Sequence, residues 1–217
     1  MVSIRQARVE DLPGMQACNL QCLPENYQLR YYIYHAITWP ETSFVAETLG
    51  PNPRIVGYVL GKMEEDAVVP HGHITSISVM RSYRKLGLAT RLLRQAHACM
   101  VECFGAQYVS LHVREGNRAA RSLYEGTLHY GLEQVEEGYY ADKENALLLR
   151  CPLSSEKTLT YPLPASELVP AFDAPPETHN ARLSEAEEAR LQRLEQARAK
   201  ARAKGAKSAK GKGRGRK

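Results

Sequence analysis

Apolar and polar positions along this chain follow two rhythms, and the way they alternate sets the order of elements. Ile4-Arg5-Gln6-Ala7-Arg8-Val9 reads as a short first strand. Glu10-Asp11-Leu12-Pro13 then opens a helix, and Leu12, Met15, Ala17, Cys18 and Cys22 carry its apolar face to about residue 22. Pro24 breaks it, 23–27 form a loop, and residues 28–37 read as a second helix, unusually aromatic. Strands follow at 43–47 and 54–62, separated by the turn Gly50-Pro51-Asn52-Pro53. The acidic loop Glu64-Glu65-Asp66 leads to Gly72 and a strand through Val79. Leu88, Leu92, Leu93, Ala96 and Met100 then recur at helical spacing to about Phe104, where Gly105 fits a C-terminal stop. A strand over 107–113, a helix over 118–127 and strands over 131–135 and 146–150 complete the order β-α-α-β-β-β-α-β-α-β-β. Residues 1–152 are therefore expected to form an α/β domain whose sheet has about seven strands.

Past residue 152 the rhythm stops. Residues 153–181 are rich in Pro, Ser and Thr and read as an extended linker. Ser184-Glu185-Ala186-Glu187 carries a capping-box pattern inside a charged helix expected over 182–204, and 205–217 read as a disordered basic tail. The net charge of +5 belongs to this end. Residues 196–217 hold ten Lys/Arg and no acid, which leaves 19 basic against 24 acidic side chains elsewhere. Such a tail suits ribosomal RNA or another anionic surface, the favoured reading; its alternative is a solvated end that serves nuclear import.

No run approaches the roughly 20 apolar residues of a membrane span, and Met1–Gln6 lack the apolar region of a secretory signal. The expectation is a soluble, intracellular protein with no membrane partner. Five cysteines, an odd count, argue for free thiols. Cys18/Cys22 and Cys99/Cys103 are i,i+4 pairs without the turn of a zinc knuckle, so buried thiols are favoured over a metal site. His71, His73 and His112 make a poor metal set too, because no acid stands at ligand spacing, and no metal is expected.

The chemistry gathers around Arg84-Lys85-Leu86-Gly87-Leu88-Ala89-Thr90, between a β-branched strand and a helix. A glycine turn there presents unpaired backbone N–H groups and the positive end of a helix dipole, a combination that binds phosphate. Arg84 and Lys85 add charge, and Ala89 is small enough for a diphosphate to lie against the first turn. The spacing Arg-x-x-Gly-x-Ala resembles the coenzyme A loop of the GCN5-related N-acetyltransferases (GNAT), and the element order matches that family over roughly the first 152 residues. Longer segments resemble one branch of it, the catalytic subunits of N-terminal acetyltransferase A: Leu23-Pro24-Glu25-Asn26-Tyr27-Gln28, Pro70-His71-Gly72-His73-Ile74-Thr75-Ser76, Tyr108-Val109-Ser110-Leu111-His112-Val113-Arg114 and Tyr139-Tyr140-Ala141-Asp142.

The resemblance implies roles. One backbone N–H of a bulged strand, at Ile77, Ser78 or Val79 here, would meet the acetyl oxygen, while Arg84, Lys85, Gly87, Leu88, Ala89 and Thr90 would hold the diphosphate. Asn117 would contact the pantetheine arm, or simply cap its helix. Tyr124 would lie near the sulfur and protonate the leaving thiolate. Glu25 would accept the amine proton; its alternative is a helix-capping carboxylate. Period-two alternation sets His112 and Arg114 on the face opposite Val109, Leu111 and Val113. His112 would orient a water or the substrate, or be a satisfied structural histidine, and Arg114 would order the Glu25 loop by charge pairing, or form an ion pair without catalytic meaning. Leu23, Pro24, Tyr27, Thr75, Tyr139 and Tyr140 would wall the peptide.

The implied activity is transfer of acetyl from acetyl-CoA to the α-amine of nascent chains that begin with Ser, Ala, Thr, Gly, Val or Cys after methionine removal. The implied partner is a large helical-repeat auxiliary subunit of the TPR type that holds the first two helices and docks on the ribosome. The implied location is cytoplasmic and ribosome-associated, with a nuclear pool. A catalyst that acts on nascent chains gains from staying near rRNA, which favours the RNA reading of the basic tail. Two rivals are a lysine acetyltransferase and a non-catalytic RNA- or ribosome-binding module.

Overall fold

The computed structural model describes residues 1–153, apart from 65, 66 and 68. The linker, charged helix and basic tail expected beyond residue 153 lie outside the described residues. The elements are β1 (Val2–Gln6), α1 (Leu12–Cys22), α2 (Leu29–Thr38), β2 (Phe44–Thr48), β3 (Ile55–Glu64), β4 (His71–Val79), α3 (Leu88–Phe104), β5 (Tyr108–Arg114), α4 (Arg118–Arg121), β6 (Gly131–Glu136) and β7 (Ala146–Pro152). Their order is the one the sequence rhythm predicts. Most boundaries shift by a residue or two, and three shift more: β1 spans Val2–Gln6 in place of 4–9, because Val9–Asp11 turns into a short 3-10 helix. β3 runs on through Met63 and Glu64, and the helix after β5 keeps α-form only to Arg121 before a π-helical stretch, Ser122–Thr127.

Seven strands form one mixed sheet in the order β1-β2-β3-β4-β5-β7-β6. Every neighbouring pair is antiparallel except β4 and β5. That parallel ladder runs only from His71↔Tyr108 to Ile74↔Leu111. Beyond it both strands continue, β4 through Val79 and β5 through Arg114, with no pairing between them. Backbone groups on the facing edges are thus left for something other than a strand.

The core explains why the sheet holds this shape. Leu88, Leu92, Leu93, Ala96 and Met100 make the buried stripe of α3, each 4% exposed or less. Met100 lies directly over Gly61 of β3 and Gly72 of β4, where a Cβ at either position would collide with its side chain. The two glycines let α3 settle close on the sheet. On the other side Met15 and Cys18 of α1 and Tyr32 of α2 are fully buried. Tyr58 of β3 joins them there, its hydroxyl between Asn19 Nδ2 (3.0 Å) and Ser76 Oγ (2.7 Å).

A register shift divides β4. Leu60 pairs with Ser76 but Gly61 pairs with Ile74, so Thr75 is an extra residue. The bulge therefore lies upstream of Ile77, Ser78 and Val79, where the sequence reading had set it. It also reverses which residues face which side, turning Ser76 and Ser78 inward to the α1 layer.

Candidate active site

The end of β4 supplies backbone donors. Met80 N donates to Val56 O of β3 (2.8 Å), and successive residues of a strand point their backbone groups to opposite sides. Ser76 and Ser78 therefore turn toward β3 with Met80, whereas Ile77 and Val79 turn toward the unpaired gap. Arg84 Nε donates to Val79 O (2.9 Å) from that side. Of the three candidate donors, Ile77 and Val79 face the gap and Ser78 does not. Arg84, assigned to phosphate from the sequence, also braces the end of the strand.

The turn that follows holds two left-handed residues, Lys85 (φ 71°) and Gly87 (φ 69°). Gly87 is the N-cap of α3 and the first helical acceptor, taken by Arg91 N at 3.0 Å. The N–H groups of Leu88, Ala89 and Thr90 have no acceptor within the helix, and no side chain caps it. Leu88 is buried as an anchor, while Ala89 and Thr90 are half-buried beside the turn. This donor set suits a diphosphate: three main-chain donors, a helix dipole, and cations at Arg84 and Lys85.

Beyond the gap, Asn117 caps α4 by accepting from Ala120 N (3.1 Å), so its oxygen is used as the plainer alternative supposed. Tyr124 lies in the π-helical stretch, a form common at functional sites. It is 6% exposed, and burial pushes its phenol well above the usual range, so it remains a protonated hydroxyl.

The other side of the gap is built from side chains. Arg114, 7% exposed, donates from Nε to Glu25 Oε1 (2.9 Å) and from Nη1 to Asp142 (2.7 Å) and Glu144 (2.5 Å). Burial works against its charge, but the bonds to Glu144, Asp142 and Glu25 outweigh it and raise its pKa. One cation thus gathers three carboxylates. Its guanidinium also covers the Tyr140 ring at 4.0 Å. Burial, with Glu25 adding to it, pushes the Tyr140 phenol far up.

His112 stacks on Tyr139 (ring centroids 4.8 Å apart, 11° between planes), and its Nε2 lies 3.1 Å from Glu136 Oε1. Tyr27 reaches over from the loop to Thr75 O (3.3 Å) and stacks on Tyr31. Leu23 is half-buried and Pro24 buried beneath that loop. The aromatic walls and the four carboxylates on Arg114 and His112 therefore share one mouth.

Sequence reasoning missed several members. Asn19 Nδ2 donates to the Glu25 carbonyl (3.0 Å) as well as contacting Tyr58, and so pins the loop from below. His35, buried on α2, meets Thr75 Oγ1 at 3.2 Å. Asp142, Glu144 and Glu136 come from the β6–β7 end. Asn19 left a trace as a polar residue on an otherwise apolar helix face, and Asp142 as the end of the Tyr139-Tyr140-Ala141-Asp142 segment. Among the described residues no three His, Cys, Asp or Glu converge as a metal would require.

A splayed parallel pair, a bulge in its first strand and, next in the chain, a helix start that no side chain caps define a class of acyl-CoA-dependent transferases. The model of the acetyltransferase (GNAT) family matches residues 9–130, and the chain belongs to that family. Over 158 residues it is 57% identical to the N-terminal acetyltransferase A complex catalytic subunit ard1 of Schizosaccharomyces pombe, which covers 72% of this chain and 88% of that one. The catalytic subunit NAA10 of the same complex from Arabidopsis thaliana is 56% identical over 157 residues, 72% of this chain and 81% of its own. Among solved structures, a chain of the NatB acetyltransferase complex bound to CoA and MES superposes with a TM-score of 0.61 at 29% identity, covering 70% of this chain and 99% of that one.

Proposed function

We propose that the chain is an N-terminal α-acetyltransferase: it transfers acetyl from acetyl-CoA to the α-amine of a protein chain in a ternary complex. The observation that carries the reading is the meeting, at the end of the β4/β5 gap, of main-chain donors on one side and the Glu25–Arg114 and His112 contacts on the other. Acetyl-CoA brings a thioester carbonyl. The N–H groups of Leu88, Ala89 and Thr90 hold its diphosphate, and those of Ile77 and Val79 line the route of its arm and acyl oxygen. Glu25 accepts the amine proton through the oxygen not committed to Arg114, directly or by way of a water that His112 orients. Tyr124 keeps a proton ready for the departing thiolate.

Charge supports a chain end as acceptor. Arg114 offsets only one of its three carboxylates, so the mouth keeps an excess of negative charge that draws an α-ammonium in. Tyr27, Tyr139 and Tyr140 restrict the entrance to a slim terminus and favour small first residues: Ser, Ala, Thr, Gly, Val or Cys exposed by methionine removal. The name shared by the fission yeast and Arabidopsis relatives supports assembly with an auxiliary subunit. Leu29, Ile33 and Ile37 form an exposed apolar stripe down α2, with Leu20 exposed on α1, a surface suited to a helical-repeat (TPR-type) partner. The basic residues 196–217 suit rRNA, which favours a cytoplasmic, ribosome-associated protein with a nuclear pool.

The test is acetylation of a peptide that begins Ser-Ala against its N-blocked, lysine-containing twin, with and without the auxiliary subunit. Product on the first peptide alone supports the reading. Product on the lysine favours the lysine acetyltransferase, and product on neither favours the RNA-binding module.

A further inference from the structure

Glu136 stands on the edge strand β6, 24 residues along the chain from His112 and on no motif that the sequence singled out. Its Oε1 lies 3.1 Å from His112 Nε2. A carboxylate can only accept, so the proton of the neutral imidazole sits on Nε2 and the lone pair on Nδ1. Nδ1 has no hydrogen-bond partner among the described residues, and the stack on Tyr139 fixes the plane of the ring. From β4, His73 approaches with ring centroids 5.5 Å apart, but its own Nδ1 is engaged with Ser110 Oγ at 2.9 Å. Arg114, two residues along β5, is occupied by Glu25, Asp142 and Glu144. Of the charged groups around His112, Glu136 is the one that contacts it.

We propose that Glu136 is a positioning residue that holds His112 in the Nε2–H tautomer, so that Nδ1 takes the second proton of the α-ammonium, the one shed once the C–N bond forms, after Glu25 has taken the first. This rests on the α-acetyltransferase reading. As the amine nitrogen bonds to the acyl carbon, the C–S bond breaks and the sulfur leaves with its electron pair to be protonated. The surplus amine proton goes to Nδ1, and the resulting imidazolium shares its charge with the Glu136 carboxylate before releasing the proton to solvent. A Gln at 136 keeps the shape, loses the charge and can turn its amide N–H to Nε2, which moves the ring proton to the wrong nitrogen.

The experiment pairs imidazole ¹⁵N NMR of the full chain with steady-state kinetics on the Ser-Ala peptide for Glu136→Gln, Glu136→Ala, His112→Ala and His112→Ala/Glu136→Gln. The wild type is expected to show the Nε2–H tautomer, and Glu136→Gln a mixture. Glu136→Gln is expected to lower kcat by about tenfold or more with little change in peptide KM. The double variant is expected to be no slower than His112→Ala, since the two act as a unit. An Nδ1–H tautomer in the wild type, Glu136→Gln rates within twofold of wild type over pH 6–9, or a silent His112→Ala overturns the proposal. A wild type that acetylates no terminus at all overturns the proposed function instead, and the NMR arm still decides the tautomer.

Discussion

The two halves of the site are made of different material. The half assigned to acetyl-CoA is almost all main chain: the N–H groups of Ile77, Val79, Leu88, Ala89 and Thr90, reached through a left-handed Gly87. The half assigned to the peptide is almost all side chain, with Arg114 gathering Glu25, Asp142 and Glu144, and His112 held between Glu136 and Tyr139. A main-chain site survives exchange of most side chains around it but fails when the backbone turns wrongly. A side-chain site behaves the other way, and each member can be removed singly. The contrast suits the chemistry, because one ligand never varies and the other differs with every substrate protein.

The sharpest way to break the contrast is Gly87→Val. A β-branched residue at φ 69° is strained, and relaxing it swings the first N–H groups of α3 off a dianionic ligand. Losing two charge-assisted hydrogen bonds raises the acetyl-CoA KM by about 100-fold or more. Lys85→Ala and Arg84→Ala, which remove only side chains, should raise it much less. Binding of acetyl-CoA by calorimetry, with circular dichroism to confirm folding, checks both. Equal losses in all three variants would mean that the half is not a main-chain site.

Next in size is Glu25→Gln. It leaves an oxygen to accept from Arg114 but removes the proton acceptor, so kcat falls about 30-fold while the acetyl-CoA KM stays within twofold. A parallel rise in the acetyl-CoA KM would show that the halves are not separable.

The same division decides what could be seen in the sequence. The Gly87 turn was legible because φ > 0 demands a particular residue, and the α3 stripe because its period is local. The alternation on β5 was legible for the same reason, and it correctly set His112 and Arg114 opposite Val109, Leu111 and Val113. The bulge was misplaced because Ile74-Thr75-Ser76-Ile77 reads equally well in either register; only pairing with β3 shows Thr75 to be the extra residue. Glu136 and Glu144 carried no signal, and Asp142 only its place at the end of a resembling segment, since their partners lie 24, 30 and 28 residues away. The insertion of β7 between β5 and β6 brings them there, and strand order is not written in a period of two. The π-helical stretch at Tyr124 escaped because one more residue per turn leaves a short apolar pattern unchanged.

Asn19 offers a finer cut. It contacts the peptide half only through main chain, the Glu25 carbonyl, while resting on Tyr58 in the core. Asn19→Leu leaves that carbonyl and the Tyr58 hydroxyl short of a partner, at a cost of about 1–3 kcal/mol in stability. The Glu25 loop loosens, and kcat is expected to fall about fivefold with the acetyl-CoA KM unmoved, a loss far smaller than deleting the carboxylate itself. If Asn19→Leu were as slow as Glu25→Gln, the loop position and not the carboxylate would be the controlling quantity.

The smallest effect on catalysis belongs to the scaffold of the main-chain half. His97, buried on α3, lies with Nε2 2.7 Å from the Tyr130 hydroxyl, and burial pushes its pKa down to about 3. In the unfolded chain the same imidazole titrates near 6.5. Between those values the unfolded state binds a proton that the native state refuses, so stability rises with pH across the window. Its contribution is complete above about pH 6.5 and is lost as the pH falls toward 3, by about 1.4 kcal/mol per pH unit at most. His97→Leu alone would strand the Tyr130 hydroxyl, so the test pairs it with Tyr130→Phe. Urea unfolding at pH 7, 6, 5 and 4 should show a shallower slope in the double variant, with the acetyl-CoA KM at pH 7.5 unchanged. Parallel slopes would mean that His97 takes its proton without unfolding, and that acid reaches the diphosphate helix through the carboxylates of the peptide half instead.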